Sequence, residues 1–277
     1  MKFIKKHFST LIIVLILLAG LSLLLYPTIS DYWNSFHQTR AIASYVKAVD
    51  HLDKKDYERI WKEAKQYNKD LSLTGIQMPL SKAKQKEYQK LLNISGNGIM
   101  GYIEIPKIRV SLPIYHGVDE GILQIATGHL AGTSLPVGGK SSHCVISGHR
   151  GLPSARLFTD LDKLSKGDVF MIHVLNKTLT YEVDQIRIVL PDNLSDLKIQ
   201  DGQDLFTLVT CTPYGVNTHR LLVRGHRIAN IDSASAAADA VRVDSMVVAT
   251  VMAIVVLIIL ILALFINTGT KKKHKKG

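Results

Sequence analysis

Cys211 closes the apolar run L-F-T-L-V-T-C at 205–211, and Arg220 follows nine positions later across T-P-Y-G-V-N-T-H. A thiol does nucleophilic chemistry only as its thiolate, so it needs a base or a cation beside it. Acyl transfer also needs a donor for the oxygen that becomes negative, and arginine stays charged with up to five N–H donors. Pro213 and Gly215 turn the chain between the two residues. If the flanking strands pair, Cys211 and Arg220 meet at one end of a sheet. The bland readings stand beside these. A lone cysteine is often a small buried hydrophobe, and an arginine at a sheet end is often solvated or paired with an acid such as Asp204.

A base for the thiol would be a histidine. The candidates are His116, His129, His143, His149, His173, His219 and His226. His149 stands out, because V-I-S-G-H-R-G takes it from an apolar run into a glycine-flanked turn. His173 lies inside V-F-M-I-H-V and reads as structural. His219, next to Arg220, points to the opposite face of a strand. The only other cysteine, Cys144, opens the run that leads to His149 and fits the buried reading.

These residues need a frame. From residue 99 onward, short runs rich in β-branched residues alternate with Gly, Pro, Asp and Asn: G-Y-I-E-I-P, V-S-L-P-I-Y, H-C-V-I-S-G, V-F-M-I-H-V, L-T-Y-E-V-D-Q-I-R-I-V, L-F-T-L-V-T and L-L-V-R-G-H-R-I. This spacing predicts a mainly β domain, a closed barrel or a sandwich. On the last strand but one, Leu205, Thr207, Val209 and Cys211 share a face. Before the β region, apolar residues at threes and fours predict helix over 31–71, and Ser81 caps a second helix ending near 92. I-S-G-N-G at 94–98 marks a boundary.

Both ends carry long uncharged stretches, 8–26 and 246–266. An apolar helix of ~20 residues at ~1.5 Å per residue crosses a hydrocarbon core of ~30 Å. The second stretch reads as a membrane span. The first reads as a retained anchor or a signal peptide, and the lack of an A-x-A-like site after it favours the anchor. Three lysines precede the first stretch, and the tail K-K-K-H-K-K-G follows the second. Positive-inside then puts both termini in the cytoplasm and the middle outside the cell. The formal net charge is +11, but setting aside those eight lysines leaves 26 basic against 23 acidic residues. The basicity thus belongs to the ends and not to a nucleic-acid surface. Two cysteines make no disulfide framework in so large an outside region. No histidine cluster has metal-ligand spacing, Asp119 and Glu120 make only a weak Ca²⁺ pattern, and no phosphate-binding glycine loop is present, so no cofactor or metal is expected.

T-L-V-T-C with arginine nine positions on, together with G-H-R-G, closely resembles the sortases. T-C-T-P-Y-G-V-N-T-H-R-L-L-V-R-G-H-R, G-Y-I-E-I-P-K-I, L-P-I-Y-H-G, G-H-L-A-G-T-S-L-P-V-G-G and G-L-P-S-A-R-L-F-T-D-L-D-K-L resemble the pilus-assembling class C members in particular. The likeness is dense over residues 96–228. It implies an eight-stranded β-barrel with N-terminal helices, flanked by two transmembrane helices. It further implies that Cys211 attacks the Thr–Gly bond of an LPXTG-like sorting signal, His149 is acid and base, and Arg220 holds substrate and oxyanion. The partners implied are pilin subunits with such signals and an acceptor lysine, joined by isopeptide bonds at the cell membrane.

The organisation expected is a cytoplasmic start and first span at 1–26 and a helical region at 27–95. The catalytic barrel follows at 96–232, then a linker at 233–245, a second span at 246–266 and a basic tail at 267–277. Other readings are a general cell-wall-anchoring sortase, disfavoured by the second span, and a non-catalytic pilus scaffold, disfavoured by the joint presence of Cys211, His149 and Arg220. A papain-like peptidase is disfavoured by the order of its residues. One departure stands out. Class C members carry an Asp-Pro-aromatic lid motif, and N-K-D-L-S-L-T-G-I-Q-M-P-L-S-K at 68–82 has none. A more open site than is usual in the class is therefore expected.

Overall fold

The computed structural model describes residues 2–230 and position 254. Apart from position 254, the second apolar stretch lies outside the described residues, as do the linker and the basic tail. Among the described residues, those at 2–32 belong to one compact unit and those at 33–230 to another. The first helix, α1 (Lys2–Asp50), is long and continuous, with Pro27 inside it. From Ile12 it is long and apolar enough to cross a membrane, with mean hydropathy 2.5 over its most apolar window and none of that window buried. Among the described residues it is the one helix of this kind.

The helix predicted over 31–71 is two helices. α1 stops at Asp50, and α2 (Lys54–Thr74) restarts after Asp53. Asp53 is extended, at φ −72° and ψ 164°, and its carboxylate accepts from the Asp56 N–H at 2.7 Å. Such a cap satisfies an N–H that has no partner within the helix, so it starts a new helix there rather than continuing the old one. α2 buries Ala64, Asn68 and Leu71, one face at spacings of four and three. Asn68 exchanges two hydrogen bonds with the backbone of Leu135, at 2.7 and 3.0 Å, and so bolts α2 to the β domain. Gly75, at φ 76°, ends the helix by donating its N–H to Leu71 O at 2.8 Å, a conformation that suits glycine. α3 (Lys82–Tyr88) is capped by Ser81 and ends earlier than predicted, with Tyr88 fully buried.

The β region closes into one eight-stranded barrel. Its strands are β1 (Ile99–Ile105), β2 (Val110–His116), β3 (Thr127–His129), β4 (Ser142–Ser147), β5 (Val169–Val174), β6 (Lys177–Val189), β7 (Asp204–Thr212) and β8 (His219–Ile228). Their order around the barrel is β1-β2-β3-β4-β7-β8-β6-β5, which decides between barrel and sandwich. Seven strands coincide with the seven apolar runs. The eighth, β3, has three residues, too few to display a period of two. It is wedged parallel to β2 and antiparallel to β4. Its middle residue must be glycine, because a Cβ on Gly128 would lie 2.0 Å from Gly117 O. In the fully buried core Phe170 stacks on Tyr181 and Phe206 packs edge-on to Phe170, together with Ile103, Ile146 and Leu208.

Candidate active site

β7 and β8 are antiparallel neighbours, and their register places Cys211 directly opposite Arg220. The turn between them, 213–218, consumes the nine-residue spacing. β4 runs parallel to β7 on its other side, with Val145 beside Thr207 and Ser147 beside Val209. The ladder continues one step past the end of β4: Gly148 N donates to Val209 O at 3.0 Å, and Thr210 Oγ1 donates to Gly148 O at 2.8 Å. His149 is the next residue, two past the end of β4, so the strand ends that carry His149, Cys211 and Arg220 are neighbours at one end of the barrel. Cys211 and Arg220 form a row across its outer face.

Alternation decides which face. Phe206, Leu208, Thr210 and Thr212 are buried toward the barrel interior, while Cys211 and Val209 are partly exposed on the outer face. Cys144 lies opposite Phe206, inward and 2 % exposed, and burial pushes its thiol well above the usual range. Both cysteines are free thiols, and Cys211 is the partly exposed one.

The turn carrying His149 is held against the end of β7. Arg150 reaches Thr212 Oγ1 at 3.4 Å, pairs with Asp162, and lies 5.9 Å over the Tyr214 ring. The His149 carbonyl accepts from Phe158 N at 3.1 Å. Gly148 leaves room for that phenylalanine, since a Cβ there would lie 2.7 Å from its ring. Arg150 and Tyr214 were not singled out in the sequence, although both lie within the quoted runs. Arg220 donates to the carbonyls of Asn217 at 3.2 Å and His219 at 3.1 Å. It does not pair with Asp204, which sits at the other end of β7 and accepts from Gly139 N and Tyr181 OH.

The other candidate histidines are engaged elsewhere. His129 donates from Nε2 to Ser134 O at 2.9 Å and accepts the Tyr88 hydroxyl at Nδ1. His143 donates from Nδ1 to Lys198 O at 2.9 Å and accepts Thr207 Oγ1 at Nε2. Burial pulls each of the two down to about 4, so both stay neutral. His116 bonds the carbonyls of Gly98 and Leu91, and burial lowers it too. His173 stacks on Tyr102 and faces Glu104 at 3.1 Å, as its mid-strand place suggested. His226 lies 4.0 Å from Asp184, and His219 stands opposite Thr212.

Leading up to the row is an apolar floor. Val145, Val209 and Leu222, from β4, β7 and β8, pack with Val189 of β6 and with Leu197. Val209 and Leu222 are each two residues from the row on its own face. Ile76, from the stretch between α2 and α3, packs onto this floor together with Leu130. Its segment is tethered by Gln77, whose N–H donates to Gly132 O at 3.3 Å and whose side chain meets Lys84. Leu80, after the proline, packs on the main core, and Met78 lies against Gly132. The expectation of an open site thus divides in two. The thiol is partly exposed, whereas the floor beside it is covered by Ile76.

An eight-stranded barrel of this order, with Cys, His and Arg carried by neighbouring strand ends, defines the cysteine transpeptidases of the sortase type. The sortase domain profile matches residues 103–228. Sortase D of Bacillus subtilis (strain 168) is 30% identical over 175 residues, covering 62% of this chain and 84% of the relative. The chain belongs to the sortase family. Among solved structures, sortase C1 from Streptococcus agalactiae is 55% identical with a TM-score of 0.68, covering 69% of this chain and all of that one. A sortase C of Streptococcus pneumoniae, described for its catalysis and pilin substrate specificity, is 44% identical with a TM-score of 0.63, over 69% and 97% of the two chains. Within the family the chain is a class C sortase.

Proposed function

We propose that this chain polymerises pilin subunits outside the cell while anchored in the membrane by two spans, 8–26 and 246–266, with both termini cytoplasmic. The single observation that carries the reading is the register that sets Cys211 opposite Arg220, beside the strand end that leads to His149. The Cys211 thiolate attacks the Thr carbonyl of an LPXTG-like signal, and the carbonyl oxygen becomes an oxyanion beside the Arg220 guanidinium. The Thr–Gly bond breaks, and His149 gives its proton to the glycine amine that leaves. A lysine ε-amine of a second pilin then loses a proton to His149 and attacks the thioester. The thiolate departs, and an isopeptide bond joins the subunits. The apolar floor suits the Leu-Pro end of the signal, since it lies on the same face and runs up to the thiol.

The test is a mixture of the full chain in detergent with a candidate backbone pilin. Covalent ladders are expected with the wild type and none with Cys211→Ala. Replacing Arg220 by Ala should lower the cleavage rate by about 10²–10³, the usual cost of removing an oxyanion donor. Ladders formed by Cys211→Ala, or full activity in His149→Ala, overturn the reading.

A further inference from the structure

His149 Nε2 is buried and accepts or donates no hydrogen bond, yet a carboxylate oxygen, Glu120 Oε1, lies 3.5 Å from it. Glu120 is the first residue of a short helix, α4 (Glu120–Leu123), on the connection between β2 and β3. Its Oε1 also accepts from Gln124 Nε2 at 2.6 Å, which holds the carboxylate in place. Both partners are braced by α1 from outside the barrel. Gln38 Nε2 donates to Ile125 O at 2.7 Å, just past α4, and Asn34 Nδ2 donates to Ser154 O at 2.7 Å, in the loop after His149. Residues 34 and 38 are one helical turn apart, so one face of α1 bonds both the segment after Glu120 and the loop after His149.

We propose that Glu120 is the positioning residue of His149. The inference rests on the role for His149 given above. A carboxylate facing Nε2 disfavours a lone pair there and favours Nε2–H. That fixes the neutral tautomer and leaves Nδ1 to take up a proton. With Nε2–H held by the carboxylate, one ring nitrogen is committed and the ring is oriented. No other carboxylate on this loop is placed to do this, since Asp162 is occupied by Arg150. Arg150 offers only donors, α1 presents the neutral Asn34 to this loop, and β7 presents Cys211, a thiolate on the proposed function.

The experiment is a nitrogen-15 histidine spectrum of the full chain in detergent micelles, in which the two ring nitrogens report which of them carries the proton in the neutral imidazole. The His149 resonances are assigned by their loss in His149→Ala. The wild type should show the Nε2–H tautomer of His149, a reading that needs no variant to fold. In Glu120→Ala the share of that tautomer should fall, and kcat/KM for a sorting-signal peptide should fall about three- to tenfold in parallel, with the thermal midpoint unchanged. Glu120→Asp should recover part of both. A wild-type His149 held as Nδ1–H, or a tautomer ratio that is the same in Glu120→Ala, overturns the proposal. Because the tautomer is read without turnover, its failure is distinct from ladder formation by Cys211→Ala, which would instead overturn the function.

Discussion

Ile76 lies on the apolar floor between Val145, Leu197 and Leu222, where a sorting signal would lie on the proposed function. Signal and Ile76 then compete for one surface, and the free enzyme must lift the 75–80 segment to bind. Ile76→Ala removes three carbons from that contact. At ~0.8 kcal/mol per buried carbon the ceiling is about 2.4 kcal/mol, and since Ile76 is only partly buried about 1–2 kcal/mol is expected. At about 1.4 kcal/mol per decade this shifts the segment toward the lifted state by roughly five- to thirtyfold. KM for a fluorogenic LPXTG peptide should fall by up to that factor, with kcat little changed, because the population of open floor changes and the chemistry does not. Alkylation of Cys211 by iodoacetamide should respond far less, since the thiol is already partly exposed. Ile76→Asp should act in the same direction. Unchanged KM in both variants would refute the competition. Alkylation rising as steeply as peptide binding would show instead that the segment shields the thiol itself.

Other expectations follow from buried groups. His129 and His143 sit at about 4 in the native state against an ordinary 6.5. Their contribution is complete above about pH 6.5 and is lost as pH falls toward 4, because the unfolded chain takes up protons that the folded one refuses. By pH 5 each should cost about 2 kcal/mol, read as a drop in urea midpoint from neutral pH, and His143→Gln should remove a large part of that drop. Asp204, raised by burial, acts with the opposite sign, so the comparison with His143→Gln is the test: equal drops in wild type and variant would mean that His143 is not held neutral as described. Gly148→Ala pushes a methyl to 2.7 Å from the Phe158 ring at the step before His149. It should cost about 1–3 kcal/mol in thermal unfolding and lower kcat/KM as well, and wild-type values of both would refute the tight fit. Tyr88→Phe strands Gly117 N and His129 Nδ1, which bond the hydroxyl at 3.0 and 2.9 Å, and should destabilise by about 1–3 kcal/mol in urea unfolding.

The Cys211–Arg220 pairing was legible because it is local. Two strands joined by a six-residue turn are bound to face each other, and strand alternation set both side chains on one face. The seven longer strands were legible for the same reason, since each carries its own punctuation and period. β3 was not, as three residues carry no period and its pairing depends on β2 and β4. The break between α1 and α2 was missed because the apolar spacing runs on through residues 51–53, and only the Asp53 cap interrupts it.

Residue types, the Cys–Arg spacing and the long motifs therefore determined the class of chemistry, and the apolar stretches marked out where the chain was expected to meet a membrane. Tertiary structure decided that the strand leading to His149 lies beside the one that carries Cys211, by a parallel pairing of β4 with β7 that joins residues 62 positions apart. It also decided that Ile76 packs on the floor while Leu80 packs on the main core, and that Glu120 meets His149. The physical reason is the same in each case. Hairpin partners are set by short-range backbone geometry, which a local pattern encodes. Contacts between distant segments exist only once the barrel has closed, and no local pattern records them.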